Sequence, residues 1–263
     1  MRPGILTLTT DFGADGPYVA SIKGVVLGLS PGVQFVDVSH AITPQNILEG
    51  AFVLASVVES FPSGTIHLAV VDPGVGTARR LIAAKLADQW FVAPDNGLLS
   101  VVAQRYSAGE IWEISNPELR RRTVSATFHG RDILAPAAAH LLLGNDPSSF
   151  GSPRHGLVTL PAIAPRREPE GIVGEVIFRD NFGNLITNVP GDWLAEELPD
   201  RWAIQIDGHR IEGLSRTYGD HPPGTLVSLV GSQGWAEVSL VNGDAAQHLN
   251  CGPGSTVWFR LRQ

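Results

Sequence analysis

Carboxylates recur at the ends of apolar runs in the first half of this chain. Residues 5–10 stop at Asp11, residues 65–71 at Asp72, and residues 90–93 at Pro94-Asp95. A further run, 33–38, carries Asp37 and is followed by His40. Asp is a common turn former and helix cap, so any one of these is ordinary. Several on one sheet edge would face a shared crevice, the place where open α/β sheets bind ligands. His129, in Phe128-His129-Gly130-Arg131-Asp132, adds an imidazole suited to act as a base or an orienting donor. Arg79 and Arg80 follow the Pro73-Gly74-Val75-Gly76 loop. A guanidinium beside Asp72 would keep that carboxylate ionised and fixed.

Other chemistries lack their motifs. The chain has no Gly-x-x-x-x-Gly-Lys-Ser/Thr loop and no Gly-x-Ser-x-Gly elbow, and Gly74-Val75-Gly76 lacks the third glycine of a dinucleotide fingerprint. A metal set of His40, Asp72, Asp95 and His129 has no HExxH-like spacing behind it, so no metal and no cofactor is expected. The single Cys251 excludes an intramolecular disulfide and a cysteine-rich zinc site. With net charge −7 and no basic patch, nucleic acid is not an expected partner. No stretch of about 18 apolar residues suggests a membrane span, and the first ten residues do not read as a signal peptide. A cytoplasmic protein is expected.

The elements that would position these groups fall into two sets. Up to residue 143, short strands (5–10, 33–38, 65–71, 81–86, 90–93, 110–115) alternate with helices (about 17–29, 45–60, one ending at 106, and 133–143). That order predicts an α/β domain with a mainly parallel sheet flanked by helices. Ser, Pro, Gly and Arg then dominate, with a linker expected at about 161–170. Beyond it the pattern is all β: 174–178, 185–189, 202–206, 226–230, 236–241 and 256–261, with turn residues at Asp207-Gly208 and Asn242-Gly243. The expected organisation is an N-terminal α/β domain, 1–160, and a C-terminal antiparallel, barrel-like β domain, 171–263. With 43% hydrophobic and 17% charged residues, the chain can build a core in each.

Five separated motifs occur in this order: Thr9-Thr10-Asp11-Phe12-Gly13, Val71-Asp72-Pro73-Gly74-Val75-Gly76-Thr77, Ala93-Pro94-Asp95-Asn96-Gly97-Leu98-Leu99, Phe128-His129-Gly130-Arg131-Asp132, and Asn181-Phe182-Gly183-Asn184-Leu185-Ile186-Thr187-Asn188. Across nearly its whole length the chain resembles the S-adenosyl-L-methionine (SAM) hydroxide adenosyltransferases, the adenosine-forming SAM hydrolases related to SAM-dependent fluorinases and chlorinases. The resemblance implies a homotrimer, with SAM between the N-terminal domain of one subunit and the C-terminal domain of its neighbour. It implies a catalytic Asp72, Arg79 and His129, with Arg80 the rival for the arginine. It also implies substrate contacts from Asp11 to the ribose hydroxyls, from Asn184 to the adenine and from Phe182 by packing. Phe128, Gly130, Ser232, Glu237 and the backbone near Val241 complete the implied substrate-binding set.

The chain departs from the halogenases at telling places. Those enzymes have Tyr where this chain has Asp72. The fluorinase has Ser at Gly130, Trp at Gln45, and an extra loop absent here. A carboxylate beside an anion pocket repels halide, so water is the expected nucleophile at the 5′ carbon of SAM, giving adenosine and methionine. Two alternatives are a protein that binds SAM or adenosine without turnover, and a metal-dependent hydrolase using the acidic sheet edge.

Overall fold

The computed structural model describes residues 4–161 and 164–262. The chain divides into two compact units, Met1–Pro161 and Ala162–Gln263. Unit 1 contains, in chain order, β1 (Ile5–Thr10), α1 (Pro17–Leu29), β2 (Gln34–Ser39), α2 (Ile47–Ala55), β3 (Ile66–Val70), β4 (Leu81–Leu86), β5 (Gln89–Pro94), α3 (Ser100–Arg105), β6 (Ala108–Glu113) and α4 (Ala135–Leu142). Its sheet has the order β2-β1-β3-β5-β4-β6. β2, β1, β3 and β5 run parallel, and β4 alone is reversed, antiparallel to both neighbours. The reversal comes from Ala87 and Asp88, both left-handed (φ 50° and 57°), which make a two-residue hairpin turn that matches strand twist.

Local chemistry sets the helix ends. Pro17 opens α1, where its missing N–H costs nothing, and Ile22 and Val26 form its buried stripe. α2 is shorter than the expected 45–60. Asn46 caps it by accepting the Glu49 N–H at 3.1 Å, and Glu49 Oε2 reaches back to Asn46 Nδ2 at 3.2 Å. After Ala55 the Ser56 hydroxyl donates to the Val53 carbonyl at 2.7 Å and a 3-10 turn, Val58–Ser60, follows.

The expected helix at 133–143 begins earlier, as a π-helical turn, Gly130–Leu134, that runs into α4. Pro136 is the cause. It cannot donate to the Asp132 carbonyl, which instead accepts the Arg121 N–H at 3.0 Å, while the Ala135 N–H reaches Gly130.

Leu6, Leu8, Leu68 and Val70 bury against Ile22 and Val26 of α1 and the alanines of α4. Thr7 and His67 point to the opposite face by strand alternation. There the His67 ring, fully buried, stacks on Phe91 and joins Thr7 Oγ1 and Gln89 Oε1, each at 2.7 Å.

Unit 2 is an eight-stranded antiparallel sheet, nearly closed. Its elements are β7 (Arg166–Glu168), β8 (Gly171–Arg179), β9 (Leu185–Pro190), α5 (Gly191–Leu194), β10 (Trp202–Ile206), β11 (His209–Glu212), β12 (Leu226–Val230), β13 (Trp235–Leu240), α6 (Ala245–Leu249) and β14 (Thr256–Leu261). The order is β11-β10-β14-β8-β9-β13-β12, with β7 on β8. The Ser215 N–H donates to the Ser228 carbonyl at 2.8 Å and ties the two ends together. β8 pairs β14 with its first half and β9 with its second. Gly174 lies at that bend, where an added Cβ would stand 2.3 Å from Val189 Cγ2.

The six expected strands are present, 202–206, 226–230 and 256–261 with the expected ends and the other three with shifted ones, and β7 and β11 are added. β7 falls in the stretch read as linker, because Arg166, Arg167 and Glu168 are the exposed charged residues of a short edge strand. No helix among the described residues is long and apolar enough to cross a membrane.

Candidate active site

β1 and β3 are adjacent and parallel with Thr10 opposite Val70, so Asp11 and Asp72 leave the same sheet edge. Asn96 Nδ2 donates to the Val71 carbonyl at 2.9 Å and fixes the backbone just before Asp72. The loop after Asp72 then folds back: the Val75 N–H donates to the Asp72 carbonyl at 3.2 Å, and the Thr77 N–H and hydroxyl donate to the Gly74 carbonyl at 3.1 and 2.7 Å.

This return places Arg79 on Asp72. Arg79 Nε donates to Asp72 Oδ1 at 2.6 Å and Nη2 donates to Oδ2, a bidentate fork. The two side chains are only 10% and 5% exposed. Arg80, next in an extended segment, projects the other way. Its Nε and Nη2 donate to Asp95 Oδ2 at 2.8 and 2.5 Å, while Asp95 Oδ1 accepts the Val158 N–H at 2.7 Å. Of the two arginines, the structure puts Arg79 beside Asp72.

The Arg79 guanidinium also meets His129 Nδ1, with Nη1 at 3.2 Å and Nη2 at 3.3 Å. Guanidinium only donates, so Nδ1 is an acceptor and the neutral ring carries its proton on Nε2. Burial, and then the Arg79 charge, lower the His129 pKa from its ordinary value; Asp72 and Asp132 oppose them.

Asp132 holds the loop that carries His129. It is fully buried and accepts from Arg131 Nε at 2.7 Å, Arg121 Nη1 at 2.9 Å and the Ser125 N–H at 2.8 Å. Burial alone would raise its pKa, but these donors hold the carboxyl at about 2.

Gly76 lets the two loops meet. It has φ +80°, and an added Cβ would stand 2.5 Å from the Ala126 carbonyl oxygen. Gly76→Ala is expected to cost about 1–2 kcal/mol from the backbone conformation, with the clash adding to it. It should lower both the melting temperature and turnover by moving Arg79 from His129. A variant that melts and turns over as wild type would contradict this.

Asp11, Gln45, Asp72, Phe128, His129 and Gly130 are among the residues lining one cleft of about 610 Å³ in unit 1. Asp11 Oδ2 accepts the Gln45 N–H at 2.8 Å. Phe12, Tyr18 and Phe128 pack ring to edge beside it, with centroids 5.5–5.8 Å apart. Asp95 and Asp37 do not line it. His40 is 2.9 Å from Thr10 Oγ1 and 3.2 Å from Asp37. The imagined metal set is therefore dispersed, and among the described residues no group of three or more His, Cys, Asp or Glu is placed to hold a metal.

Unit 2 has its own cleft, about 680 Å³, lined in part by Phe182, Asn184, Ser232 and Glu237. Phe182 is 80% exposed at its mouth. Asp180 Oδ1 accepts the Phe182 and Asn184 N–H groups, each at 2.9 Å, and its Oδ2 accepts Asn184 Nδ2 at 2.9 Å. Glu237 is buried and accepts from the Tyr218 hydroxyl and, at 3.0 Å, from Ser239. Burial pushes its carboxyl up. Among the described residues no Lys or Arg lines this cleft, and the donors to its two carboxylates are neutral. Val241 does not line it. Its side chain packs on Val227 and Leu229, and its N–H and carbonyl bond to Thr225 and Gly224. Asn242 and Gly243 take that place in the wall.

Sequence reasoning missed Asp180, Tyr218 and Asn242 as lining residues, and it named Gln45 only as a departure from the halogenases. Asp180 carried a local signal, as the Asp that opens an Asx-type turn before Phe182. Tyr218 carried none, because it reaches Glu237 from the loop between β11 and β12, a contact made only in the folded chain.

Comparison with known proteins gives a consistent picture. Residues 6–151 match the SAM hydroxide adenosyltransferase N-terminal domain and residues 174–258 the C-terminal domain. A protein named (R)-S-adenosyl-L-methionine hydrolase from Thermus thermophilus is 38% identical over 98% of this chain and 99% of its own. One of the same name from Salinispora arenicola is 39% identical over 96% of each. A fluorinase from an Actinoplanes species is 30% identical over 70% of this chain and 71% of its own. The crystal structure of an uncharacterized conserved protein from Thermotoga maritima superposes with TM-score 0.91 at 37% identity, covering 97% of this chain and 99% of that one. With both domain models matched in order and hydrolase relatives aligned end to end, the chain belongs to the SAM hydroxide adenosyltransferase family.

Proposed function

We propose that this protein hydrolyses SAM at its 5′ carbon, releasing adenosine and L-methionine, and that it takes the (R)-sulfonium epimer named in its hydrolase relatives. The observation that carries the reading is Arg79, which grips Asp72 and meets His129, two residues that line one cleft. A carboxylate and an imidazole N–H are thereby offered side by side to a small polar nucleophile. Halide would be repelled by Asp72. Water would not.

The substrate is already activated by its sulfonium. A water held in line with the C5′–S bond donates a hydrogen bond to Asp72, accepts a hydrogen bond from His129 Nε2–H, and directs its other lone pair at C5′. The C5′–O bond forms as the C5′–S bond breaks, methionine leaves as a neutral thioether, and one proton per turnover passes through Asp72 to solvent. His129 serves as a donor that orients the water, since its Nδ1 is occupied by Arg79. Arg79 holds Asp72 in place through its bidentate fork and supports negative charge developing on the oxygen.

Asp11 is assigned to the ribose hydroxyls, with Phe128 and Gly130 in the same wall. Phe182 and Asn184 are assigned to the adenine, and Ser232 and Glu237 to further substrate contacts. The unit 2 cleft suits a cation, because SAM brings the sulfonium and ammonium charges that its carboxylates lack. No cofactor or metal enters this scheme, and a chelator is expected to leave the rate unchanged. The homotrimer with sites at subunit interfaces, in the cytoplasm, belongs to the same proposal, and sedimentation analysis tests the assembly.

The deciding experiment is incubation with the separated SAM epimers in heavy-oxygen water. Adenosine labelled at its 5′ oxygen, with equimolar methionine and one proton, is the expected result. SAM returned intact would overturn the reading and leave a binding protein.

The pH profile offers a second check. Burial and Arg79 depress the His129 pKa below 6.5, so the Nδ1 acceptor persists as pH falls through 6.5. Turnover is expected to hold from neutrality down through 6.5 and to fall only at lower pH, as Nδ1 gains a proton and repels Arg79. A profile already falling at 6.5 or above would remove this assignment.

A further inference from the structure

Gln45 has a left-handed backbone, φ +67°, although it carries a side chain. An L-residue there is strained, because its Cβ crowds the following carbonyl, and glycine is the residue that relieves this. The Asn46 N–H bonds to the Thr43 carbonyl at 2.9 Å, so Thr43-Pro44-Gln45-Asn46 closes as a turn whose third place is left-handed, a place where glycine or asparagine is the usual residue and Gln45 is not. Strain kept at a cleft residue points to use of that residue.

Two consequences of the conformation meet at one carboxylate. The Gln45 N–H donates to Asp11 Oδ2 at 2.8 Å and fixes the plane of that carboxyl group. Asp11 Oδ1 accepts no hydrogen bond among the described residues. Gln45 lines the same cleft as Asp11, Asp72 and His129. A residue with an acceptor-only oxygen and a residue whose carboxamide both donates and accepts thus line one cleft. That pair complements a vicinal diol: one hydroxyl donates to the carboxylate and the second bonds to the amide.

We propose that Gln45 is a specificity-determining residue, locking Asp11 through its backbone and reading the second ribose hydroxyl of the substrate through its carboxamide. The site therefore prefers ribonucleosides to their 2′-deoxy counterparts. The proposal rests on the hydrolase reading only for the adenosyl identity of the ligand.

The test is calorimetric binding of adenosine and 2′-deoxyadenosine to the full chain as wild type, Gln45→Ala and Gln45→Gly, with melting temperatures for all three. Wild type is expected to favour adenosine. Both variants should reduce that preference by about fivefold, the worth of one hydrogen bond. Gln45→Gly should melt above Gln45→Ala, because it sheds the strain and keeps the N–H to Asp11. A purely structural role would move the melting temperature and leave the preference as in wild type, which overturns the proposal. Wild type that binds both nucleosides equally, or neither, overturns it as well. If labelled adenosine still forms in heavy-oxygen water while the preference is unchanged in the variants, this proposal falls and the hydrolase reading stands.

Discussion

Asp72→Asn is expected to lower SAM turnover by at least roughly a hundredfold, the lower end of what a positioned general base contributes. Asparagine keeps the shape but loses the charge and one acceptor oxygen, and its amide faces the donors of Arg79. Stability should fall too. Arg79 and Asp72 are 10% and 5% exposed, and removing one partner of a buried pair costs about 3–5 kcal/mol. The experiment must therefore separate chemistry from folding, which calls for circular dichroism, adenosine binding and single-turnover rates on the same preparations. Asp95→Asn is the matched control. Asp95 ends the next parallel strand, is also buried and is also paired with an arginine, yet it lines neither cleft. It should lose stability without a comparable loss of turnover. Near wild-type turnover in Asp72→Asn, or equal losses in both variants, would remove Asp72 from the chemistry.

That contrast also marks where the sequence could be read and where it could not. Periodicity and turn residues are local, so the strands ending at Asp11, Asp72 and Asp95, and the turn at Asp207-Gly208, were legible. The sorting of the acids was not. Asp11, Asp72 and Asp95 look alike in sequence. They diverge because Arg79 and Arg80 are consecutive and point apart, each taking a different carboxylate. The resemblance chose Arg79, and the residues alone gave no means of choosing. The π-turn before α4 was half legible: Pro136 announced a disturbance, but its form depended on Arg121 supplying the missing donor from another loop. β7 was hidden by its charges. The backbone of Gln45 left only a partial trace: Pro44 announced a turn, but a left-handed third place is ordinarily glycine or asparagine, so its fall on Gln45 is visible only in three dimensions.

His67 should make the fold acid-sensitive well away from either cleft. Gln89 Nε2 donates to the Val58 and Phe61 carbonyls at 3.0 and 2.7 Å, so its Oε1 can only accept. The His67 Nε2 therefore carries the proton, and Nδ1 accepts from the Thr7 hydroxyl. A second ring proton would face that hydroxyl in a fully buried site. Burial accordingly lowers the His67 pKa from 6.5 to about 4, against the smaller opposing effect of Gln89. The unfolded chain binds the proton first, so this contribution is fully present above pH 6.5 and is lost as pH falls from 6.5 to about 4. At roughly 1.4 kcal/mol per pKa unit, the whole effect is about 3 kcal/mol. The depressed Asp132 carboxyl, at about 2, titrates below this window. His67→Gln can keep both contacts without titrating. The difference in urea-unfolding free energy between wild type and His67→Gln should therefore shift against wild type by about 3 kcal/mol across that window. A difference that stays constant with pH would mean the folded protein accommodates the charged ring, and the neutral Thr7-His67-Gln89 arrangement would then be wrong.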